Sequence, residues 1–202
     1  MKILVSKLLT NSFINPDLLL HGYANGMFPM SENAKSNEVY WVEPKLRGII
    51  PLNGFHVSRS LQRVLNKADY TITFDTKFEE VLSSCADRDE TWINPIIYKS
   101  YQKLFEMGYA HSIEVNRNNI LIGGVYGVVL GSAFFGESMF SKEKNGSKIA
   151  LKHLVEHLNN RGFTLFDTQF QNPHLKTLGC MEIYQKDYIE LLKCALIHKV
   201  SF

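Results

Sequence analysis

Apolar positions along this chain recur with two different periods, and together they predict both helices and strands. Spacings of three and four residues predict a helix over 147–161, because Leu151, Leu154 and Leu158 then share one face. Gly162 directly after this segment is a typical helix stop. Alternation of apolar and polar residues over 70–74 predicts a strand. The pattern is that of an α+β protein.

Caps and turn residues predict where the other elements begin and end. Thr76 and Glu79 have the spacing of a capping box for a helix that runs to Ala86. The run Asn116-Arg-Asn-Asn119 is a hairpin turn between two strands. The remaining predicted helices are 15–25, 58–67, 94–107, 173–178 and 187–198, and the remaining predicted strands are 39–42, 48–51, 111–115, 120–126, 132–140, 163–170 and 181–184.

The order of these elements predicts two units. Residues 1–53 form a small N-terminal α/β domain, too small to fold alone, and residues 54–202 form a larger domain. In the larger domain, hairpin strands are followed by a long helix, a strand, a short helix and a last strand. This order resembles the GCN5-like N-acyltransferase (GNAT) fold, although an architecture alone does not fix a function.

Composition excludes several classes of protein. The chain has 202 residues, of which 45% are hydrophobic and 21% charged, unlike a disordered chain. No apolar run approaches the roughly 20 residues that cross a bilayer, and residues 1–10 lack the pattern of a signal peptide. Cys85, Cys180 and Cys194 form neither a disulfide framework nor a C-x-x-C pair. We therefore expect a cytoplasmic protein with no membrane partner.

Two basic stretches lie within a chain whose formal net charge is only +2. Neither carries more than one acidic residue, and such blocks can neutralise phosphates. Either stretch alone is more often a solvated helix face. Two of them near candidate pockets favour a polyanionic partner. The cations are Lys45, Arg47, Arg59, Arg63 and Lys67 in the first stretch, and Lys142, Lys144, Lys148 and Lys152 in the second.

Asp167 and Gln169 are candidates for catalysis. They lie two positions apart in a predicted strand, so we expect both side chains on the same face. Polar groups on an apolar strand are costly unless they pair. The Asp167 carboxylate can accept from the Gln169 side-chain amide, which would aim the amide carbonyl outward toward an amine. A polar pair that only holds a loop fits the spacing equally well.

Three more residues are candidates for ligand binding. Glu137 follows an apolar segment, where a carboxylate needs several donors or a cation, either a bound ammonium or a buried Arg or Lys. A ribose hydroxyl would also serve. Trp41 and Trp92 have polar or basic neighbours, and a base can stack on an indole for about 1–3 kcal/mol. Core packing is the commoner role of tryptophan.

The sequence predicts neither a metal nor a cofactor. His153 and His157 have a zinc-like spacing but lack the H-E-x-x-H pattern and a third ligand. Acetyl-CoA enzymes of the GNAT fold carry [QR]-x-x-G-x-[GA] before the long helix, whereas residues 141–148 here read Ser-Lys-Glu-Lys-Asn-Gly-Ser-Lys. This difference weakens the case for a CoA-dependent N-acetyltransferase, which stays the alternative enzyme class.

Nine short motifs follow one another between about residues 16 and 192. They are Gly26-Met-Phe-Pro29, His56-Val-Ser-Arg59, Thr91-Trp-Ile93, Ala110-His-Ser-Ile-Glu-Val115, Gly123-Gly-Val-Tyr-Gly127, Gly136-Glu-Ser-Met-Phe-Ser141, Ser147-Lys148, Asp167-Thr-Gln169 and His174-Leu-x-x-Leu-Gly179. In this order they resemble the leucyl/phenylalanyl-tRNA–protein transferases. The resemblance implies an N-terminal domain before a GNAT-like catalytic domain. It also implies an aminoacyltransferase that moves Leu, Phe or Met from aminoacyl-tRNA to proteins with N-terminal Lys or Arg, marking them for degradation (the N-end rule).

The resemblance also implies roles for single residues. Gln169, held by Asp167, would orient the attacking amine, and Glu137 would bind the ribose or α-ammonium region of the tRNA 3′ end. Trp41 and Trp92 would stack on its adenosine. The apolar pocket would consist of Val125, Phe134, Leu151, Leu154 and Leu158. Independently of the resemblance, the two basic stretches supply the candidates for phosphate contacts, which are Lys45, Arg47, Arg59, Arg63 and Lys144. We expect a monomer without a cofactor; a different amino acid, or acidic acceptor termini, is the alternative specificity.

Overall fold

The helices and strands are those of a mixed α/β protein. The structure, a computed structural model, describes residues 2–4, 9–10, 12–88 and 91–202. Its helices are α1 (Pro16–Ala24), α2 (Arg59–Lys67), α3 (Phe78–Ala86), α4 (Pro95–Glu106), α5 (Gly146–Arg161), α6 (Pro173–Lys176) and α7 (Gln185–Ile197). Its strands are β1 (Lys2–Leu4), β2 (Leu9–Thr10), β3 (Phe13–Ile14), β4 (Phe28–Met30), β5 (Tyr40–Val42), β6 (Leu46–Ile49), β7 (Thr71–Phe74), β8 (Ala110–Arg117), β9 (Ile120–Leu130), β10 (Ala133–Ser141), β11 (Leu165–Gln169) and β12 (Met181–Tyr184). Half of the segment that lacks the pattern of a signal peptide, namely residues 1 and 5–8, lies outside the described residues.

Within these ranges, seven strands form one sheet in the order β12-β6-β11-β10-β9-β8-β7. Strands β7 to β10 pair antiparallel, and α5 connects β10 to its parallel neighbour β11. Strand β6 lies between β11 and β12 and is antiparallel to both. A smaller sheet has the order β1-β5-β4. Because β6 precedes residue 53 but lies inside the large sheet, the division of the chain after residue 53 stays a prediction.

Two hydrophobic clusters cover the two faces of the large sheet. On one face, α5 buries Leu151, Leu154 and Leu158 against strand residues such as Val125. On the other face, residues of α1, α3 and α4 pack around Tyr126 of β9. Each large apolar side chain buried in this way contributes about 1.5–3 kcal/mol. The sheet is therefore covered on both sides, as in other layered α+β folds.

Most predicted elements are confirmed, with their ends shifted by a few residues. The side chains of Asn15, Ser58 and Asn94 accept hydrogen bonds from the first backbone amides of α1, α2 and α4. The capping box is wrong, because Lys77 is the N-cap of α3 and makes no side-chain cap bond. The Thr76 hydroxyl lies 2.9 Å from Oε2 of Glu114 instead. Glu114 is fully buried, and its carboxylate needs such donors.

Candidate active site

A cavity of about 220 Å³ opens beyond the last paired residues of β10 and β11. One part of its wall is apolar and faces α5, whereas another part carries hydroxyl, amide, carboxylate and guanidinium groups. The lining residues are Arg88, Trp92, Val125, Gly136, Glu137, Ser138, Met139, Leu151, Phe166, Thr168, Phe170, Asn172 and Leu175. This combination suits a ligand with an apolar side chain and a polar reacting group.

A β-bulge places Glu137 in this wall. In the pairing of β10 with β9, Gly136 lies opposite Gly127 and Ser138 lies opposite Tyr126, so Glu137 has no partner. Glu137 is 7% exposed. Bulges of this kind are common beside active sites.

Three neutral donors surround the Glu137 carboxylate. Oε1 accepts from the Tyr23 hydroxyl at 2.6 Å and from Nε2 of Gln169 at 2.9 Å, and Oε2 accepts from the Tyr101 hydroxyl at 2.5 Å. The prediction of several donors is confirmed, and no Arg or Lys among the described residues pairs with this carboxylate. Burial raises the pKa of Glu137 to about 7, although the three hydrogen bonds oppose that shift.

The Asp167 carboxylate forms a buried ion pair with Arg47. Nη2 of Arg47 lies 2.6 Å from Oδ2, and Nε lies 2.9 Å from Oδ1. The Tyr188 hydroxyl donates to Oδ2 at 2.6 Å. The guanidinium also lies over the rings of Phe28 and Tyr188. Burial acts to lower the pKa of Arg47, but the acidic and phenolic groups around the guanidinium, with Asp167 first among them, together outweigh burial and raise that pKa.

Gln169 is held at two points. Its backbone N–H donates to Oδ1 of Asp167 at 2.7 Å, and its side-chain amide donates to Glu137. The predicted bond between the Asp167 carboxylate and the Gln169 side chain is therefore wrong. The reason is backbone geometry: the register of β11 against β6 shifts between the two residues, and Gln169 has a φ of 63°. Such a conformation costs a non-glycine residue about 1–3 kcal/mol and persists where neighbouring contacts enforce it.

Comparison with known proteins identifies the family. A family model described as leucyl/phenylalanyl-tRNA protein transferase matches residues 49–193, and the model of that family's N-terminal domain matches residues 14–45. The chain belongs to the leucyl/phenylalanyl-tRNA protein transferase family. It is 51% identical to the leucyl/phenylalanyl-tRNA–protein transferase of Cereibacter sphaeroides, over 96% of this chain and 91% of that relative. It is 55% identical to the one of Ruegeria pomeroyi, over 93% of this chain and 89% of that relative.

The comparison of structures supports the fold. The crystal structure of FemX matches with a TM-score of 0.53 and 14% sequence identity, over 87% of this chain and 70% of that chain. At this identity the likeness concerns the fold alone. The predicted fold class, an α+β protein with a GNAT-like domain, is confirmed.

The apolar wall in this family member differs from the predicted pocket. Val125 and Leu151 line the cavity, but Phe134, Leu154 and Leu158 do not, and all three are at most 1% exposed. Leu154 and Leu158 lie further along α5, away from the cavity. Phe134 lies on the face of the sheet that α5 covers, whereas the Glu137 carboxylate lies on the other face, beside Tyr23 and Tyr101. The prediction of a pocket role is wrong for these three core residues; Met139, Phe166, Phe170 and Leu175 complete the wall.

The two tryptophans have different environments. Trp92 is partly buried and lines the cavity, so its predicted contact with an adenosine stays open. Trp41 is 6% exposed, and its ring packs so closely on α1 that a Cβ at Gly22 would lie 2.4 Å from it. Stacking of a base on Trp41 is therefore corrected to core packing.

Four of the five predicted phosphate contacts are exposed. Arg59 and Arg63 lie on α2, Lys144 lies in the turn before α5, and Lys45 lies just before β6. Arg47 is 1% exposed in its ion pair with Asp167, so the prediction of a phosphate contact for Arg47 is wrong. A basic run in a sequence does not distinguish a surface cation from a buried partner of a distant carboxylate.

Sequence reasoning missed several groups at this site. Tyr23 and Tyr101 carry no pattern that separates them from core aromatics, and Arg88 lies in a run of mixed charges. Cys85 lies near the same wall but is buried, and burial raises the pKa of its thiol to about 11. A thiol of that kind is a poor nucleophile at neutral pH. No helix in the described part of the chain is long and apolar enough to cross a membrane.

Proposed function

We propose that this protein transfers Leu, Phe or Met from the 3′ end of aminoacyl-tRNA to the N-terminal amine of an acceptor protein. The observation that carries the proposal is the amide of Gln169, fixed through both its backbone and its side chain beside a cavity with an apolar wall. Membership of the family and the names of its relatives support the same reaction. The modified proteins would be degraded through the N-end rule.

The chemistry needs alignment more than a strong nucleophile, because the aminoacyl ester is already activated. The free amine of the acceptor attacks the ester carbonyl carbon, a C–N bond forms, and the bond from that carbon to the ribose 3′-oxygen breaks. The proton lost by the amine passes to the leaving 3′-oxygen. Since Nε2 of Gln169 donates to Glu137, its carbonyl oxygen is the atom free to accept from the amine. Amides are weak bases, so positioning is the main contribution of Gln169.

The cavity also supports a preference for apolar side chains. The apolar wall offers the side chain of the transferred amino acid dispersion contacts and no side-chain hydrogen bonds. The wall residues are Val125, Met139, Leu151 and Phe166. A difference of one methylene is worth only about 1–3 kcal/mol in such a pocket, so several apolar amino acids should be accepted. The acceptor terminus is proposed to be Lys or Arg.

The proposal is tested by variants of Gln169. In Gln169→Ala, the kcat for transfer of labelled Phe from Phe-tRNA to a peptide should fall about 100-fold, because the amine loses its alignment. The matched control is Gln102→Ala on the exposed face of α4, which should keep full activity. A near-normal kcat in Gln169→Ala would remove the assigned role.

A crossed assay tests the specificity. Leu-, Phe-, Met- and Arg-tRNA are each offered with peptides that begin with Lys, Arg, Asp or Glu. Transfer from the first three onto Lys and Arg is expected. Transfer only from Arg-tRNA, or only onto acidic termini, would contradict the specificity while leaving the chemistry intact. Binding of acetyl-CoA in calorimetry would favour the N-acetyltransferase alternative, and binding of tRNA without transfer would indicate a binding protein.

We further propose that the protein acts as a monomer in the cytoplasm. The three cysteines are free thiols, as expected in a reducing compartment. Sedimentation of the purified protein with and without tRNA tests the oligomeric state.

A further inference from the structure

Arg88 is the one cationic side chain among the described residues that line the cavity. It lies two residues after the end of α3 and is exposed. Its Nη2 donates to Oγ of Ser138 at 2.6 Å and to the backbone oxygen of Met139 at 2.7 Å. Both acceptors directly follow Glu137 in the bulged strand. These two bonds hold a positive charge at the mouth of the cavity.

A groove begins at the same residue. Arg88 and Met139 also line a second, open cavity of about 610 Å³ beside the first. Lys142 supplies a second cation there, Asp87 an anion, and Ser83 and Ser141 supply hydroxyl groups. The surface that adjoins the cavity at Arg88 thus offers cations and hydrogen-bond donors to a polar chain.

The chemistry of the substrate supplies an anion at this position. The ester of an aminoacyl-tRNA is on the ribose of the terminal adenosine, and the 5′ side of that ribose carries a phosphodiester. When the amino acid occupies the cavity, this phosphodiester must lie near the cavity mouth. A guanidinium has the geometry to bind two phosphate oxygens at once. An acceptor peptide with a basic terminus carries no anion that would need such a partner.

We propose that Arg88 binds the phosphodiester that joins the terminal adenosine to the preceding nucleotide, and that the groove holds this nucleotide. The inference rests on the proposed function. The inference adds a specific phosphate-binding site to that function, because Arg88 is separate from the surface cations of α2. It also explains why the guanidinium is bonded to the strand that carries Glu137. These bonds fix the position of the bound phosphate relative to the Glu137 carboxyl group.

Two small substrates test this inference. The phenylalanyl ester of adenosine has no phosphodiester, whereas the phenylalanyl ester of cytidylyl-adenosine (CpA) has one. The wild-type kcat/KM should be higher for the CpA ester, mainly through a lower KM. In Arg88→Gln, this preference for the CpA ester should fall about tenfold, since a charged hydrogen bond is lost. Arg88→Lys should keep part of the preference.

Control variants separate a contact from general effects. Lys103→Gln removes a surface cation that pairs with Glu106 outside the cavity and should keep the full preference. Ser138→Ala removes one anchor of Arg88 but not its charge, so the preference should fall less than in Arg88→Gln. An equal loss of kcat/KM with both esters in Arg88→Gln would show that Arg88 only supports the strand, and would overturn the proposal.

A binding measurement keeps this test independent of the reaction. Calorimetry with unacylated adenosine and CpA should show tighter binding of CpA to the wild type, and that advantage should shrink in Arg88→Gln. Equal affinity of the wild type for both compounds would overturn the role of Arg88. Tighter binding of CpA without any transfer from either ester would contradict the proposed function and not the phosphate site.

Discussion

Glu137 and Asp167 are buried carboxylates on neighbouring strands, and their partners differ. Asp167 accepts from the guanidinium of Arg47, whereas the donors to Glu137 in the described part of the chain are all neutral. The hydroxyls of Tyr23 and Tyr101 are also 2.7 Å apart, so three short contacts join two hydroxyls and one carboxyl group. If Glu137 is ionised, only the two tyrosine hydroxyl protons are available for these three contacts. If Glu137 is protonated, its own proton serves the third contact. The geometry therefore agrees with the direction of the raised pKa.

Because the pKa of Glu137 is raised in the folded protein, the stability of the fold depends on pH. The folded protein keeps the proton up to a pKa of about 7, whereas an unfolded glutamate loses it near its ordinary value. The folded state binds more protons between these values, so stability falls as pH rises through this window. Glu137→Gln lacks this penalty, and its stability relative to wild type should increase by on the order of 3 kcal/mol between pH 4.5 and 8. Urea unfolding across this range measures the change, and exposed Glu32→Gln should show none.

Removal of Arg47 should be far more damaging than removal of a surface arginine. Arg47→Met keeps apolar bulk between Phe28 and Tyr188 but leaves the Asp167 carboxylate buried without its cation. The expected loss is about 3–5 kcal/mol of unfolding free energy. Arg63→Met on exposed α2 should stay within about 0.5 kcal/mol of wild type. Equal urea midpoints for the two variants would contradict the structural role of the ion pair.

At the scale of elements, the bulge of β11 depends on the absence of a side chain in β6. A Cβ built on Gly48 would lie 2.7 Å from the carbonyl carbon of Phe170 and 2.8 Å from the backbone nitrogen of Gln171. These are backbone atoms, which cannot rotate away. The turn that carries Gln169 thus fits against bare backbone.

Gly48→Ala should therefore displace this turn. We expect a loss of about 1–3 kcal/mol of stability from overpacking, together with a fall in kcat as the Gln169 amide moves. Gly108→Ala is the comparison: the φ of 75° at this position strains an alanine backbone, but no atom of the described residues lies within 4 Å of the added Cβ. It should lose stability and keep the wild-type kcat. A normal kcat in Gly48→Ala would show that the turn tolerates the shift.

Local signals predicted the elements better than they predicted their neighbours. The caps of α1, α2 and α4 were predictable because a cap side chain bonds to amides a few residues away. The place of β6 between β11 and β12 was not, since its partners lie more than a hundred residues later. Thr76 was misassigned for the same reason, because its partner Glu114 lies in β8, far along the chain. Asp167 and Gln169 were found by spacing, but only the register shift decides which group each one holds.

At the scale of the whole molecule, exposed cations are distributed unevenly. Helix α2 exposes Arg59, Arg63 and Lys67, and it packs against α5. Lys144 is exposed in the turn that directly precedes α5. Although the net charge of the chain is only +2, this cluster of cations creates a positive potential on one part of the surface. Such a field supports binding of a polyanion without any reading of its sequence.

The salt dependence of tRNA binding tests this surface. In Arg59→Ala/Arg63→Ala, affinity should fall, and the slope of log K against log salt concentration should flatten by about one per lost contact. Lys103→Ala/Lys193→Ala removes the same charge from sites paired with Glu106 and Glu190 and should keep the slope. An unchanged slope in the arginine variant would exclude both residues from the phosphate contacts.

The position of β6 also determines when this molecule can be completed during its synthesis. Ile49 pairs with Met181, which the ribosome adds 132 residues later. At about 5–20 residues per second, that interval lasts roughly 7 to 26 s. Throughout most of it, Arg47 has no Asp167 to bind, and β6 has neither of its neighbours. A nascent chain that ends just before residue 167 contains the segments of α1 to α5 and of β1 to β10, yet it lacks Asp167 and Gln169, so its chemical centre cannot assemble.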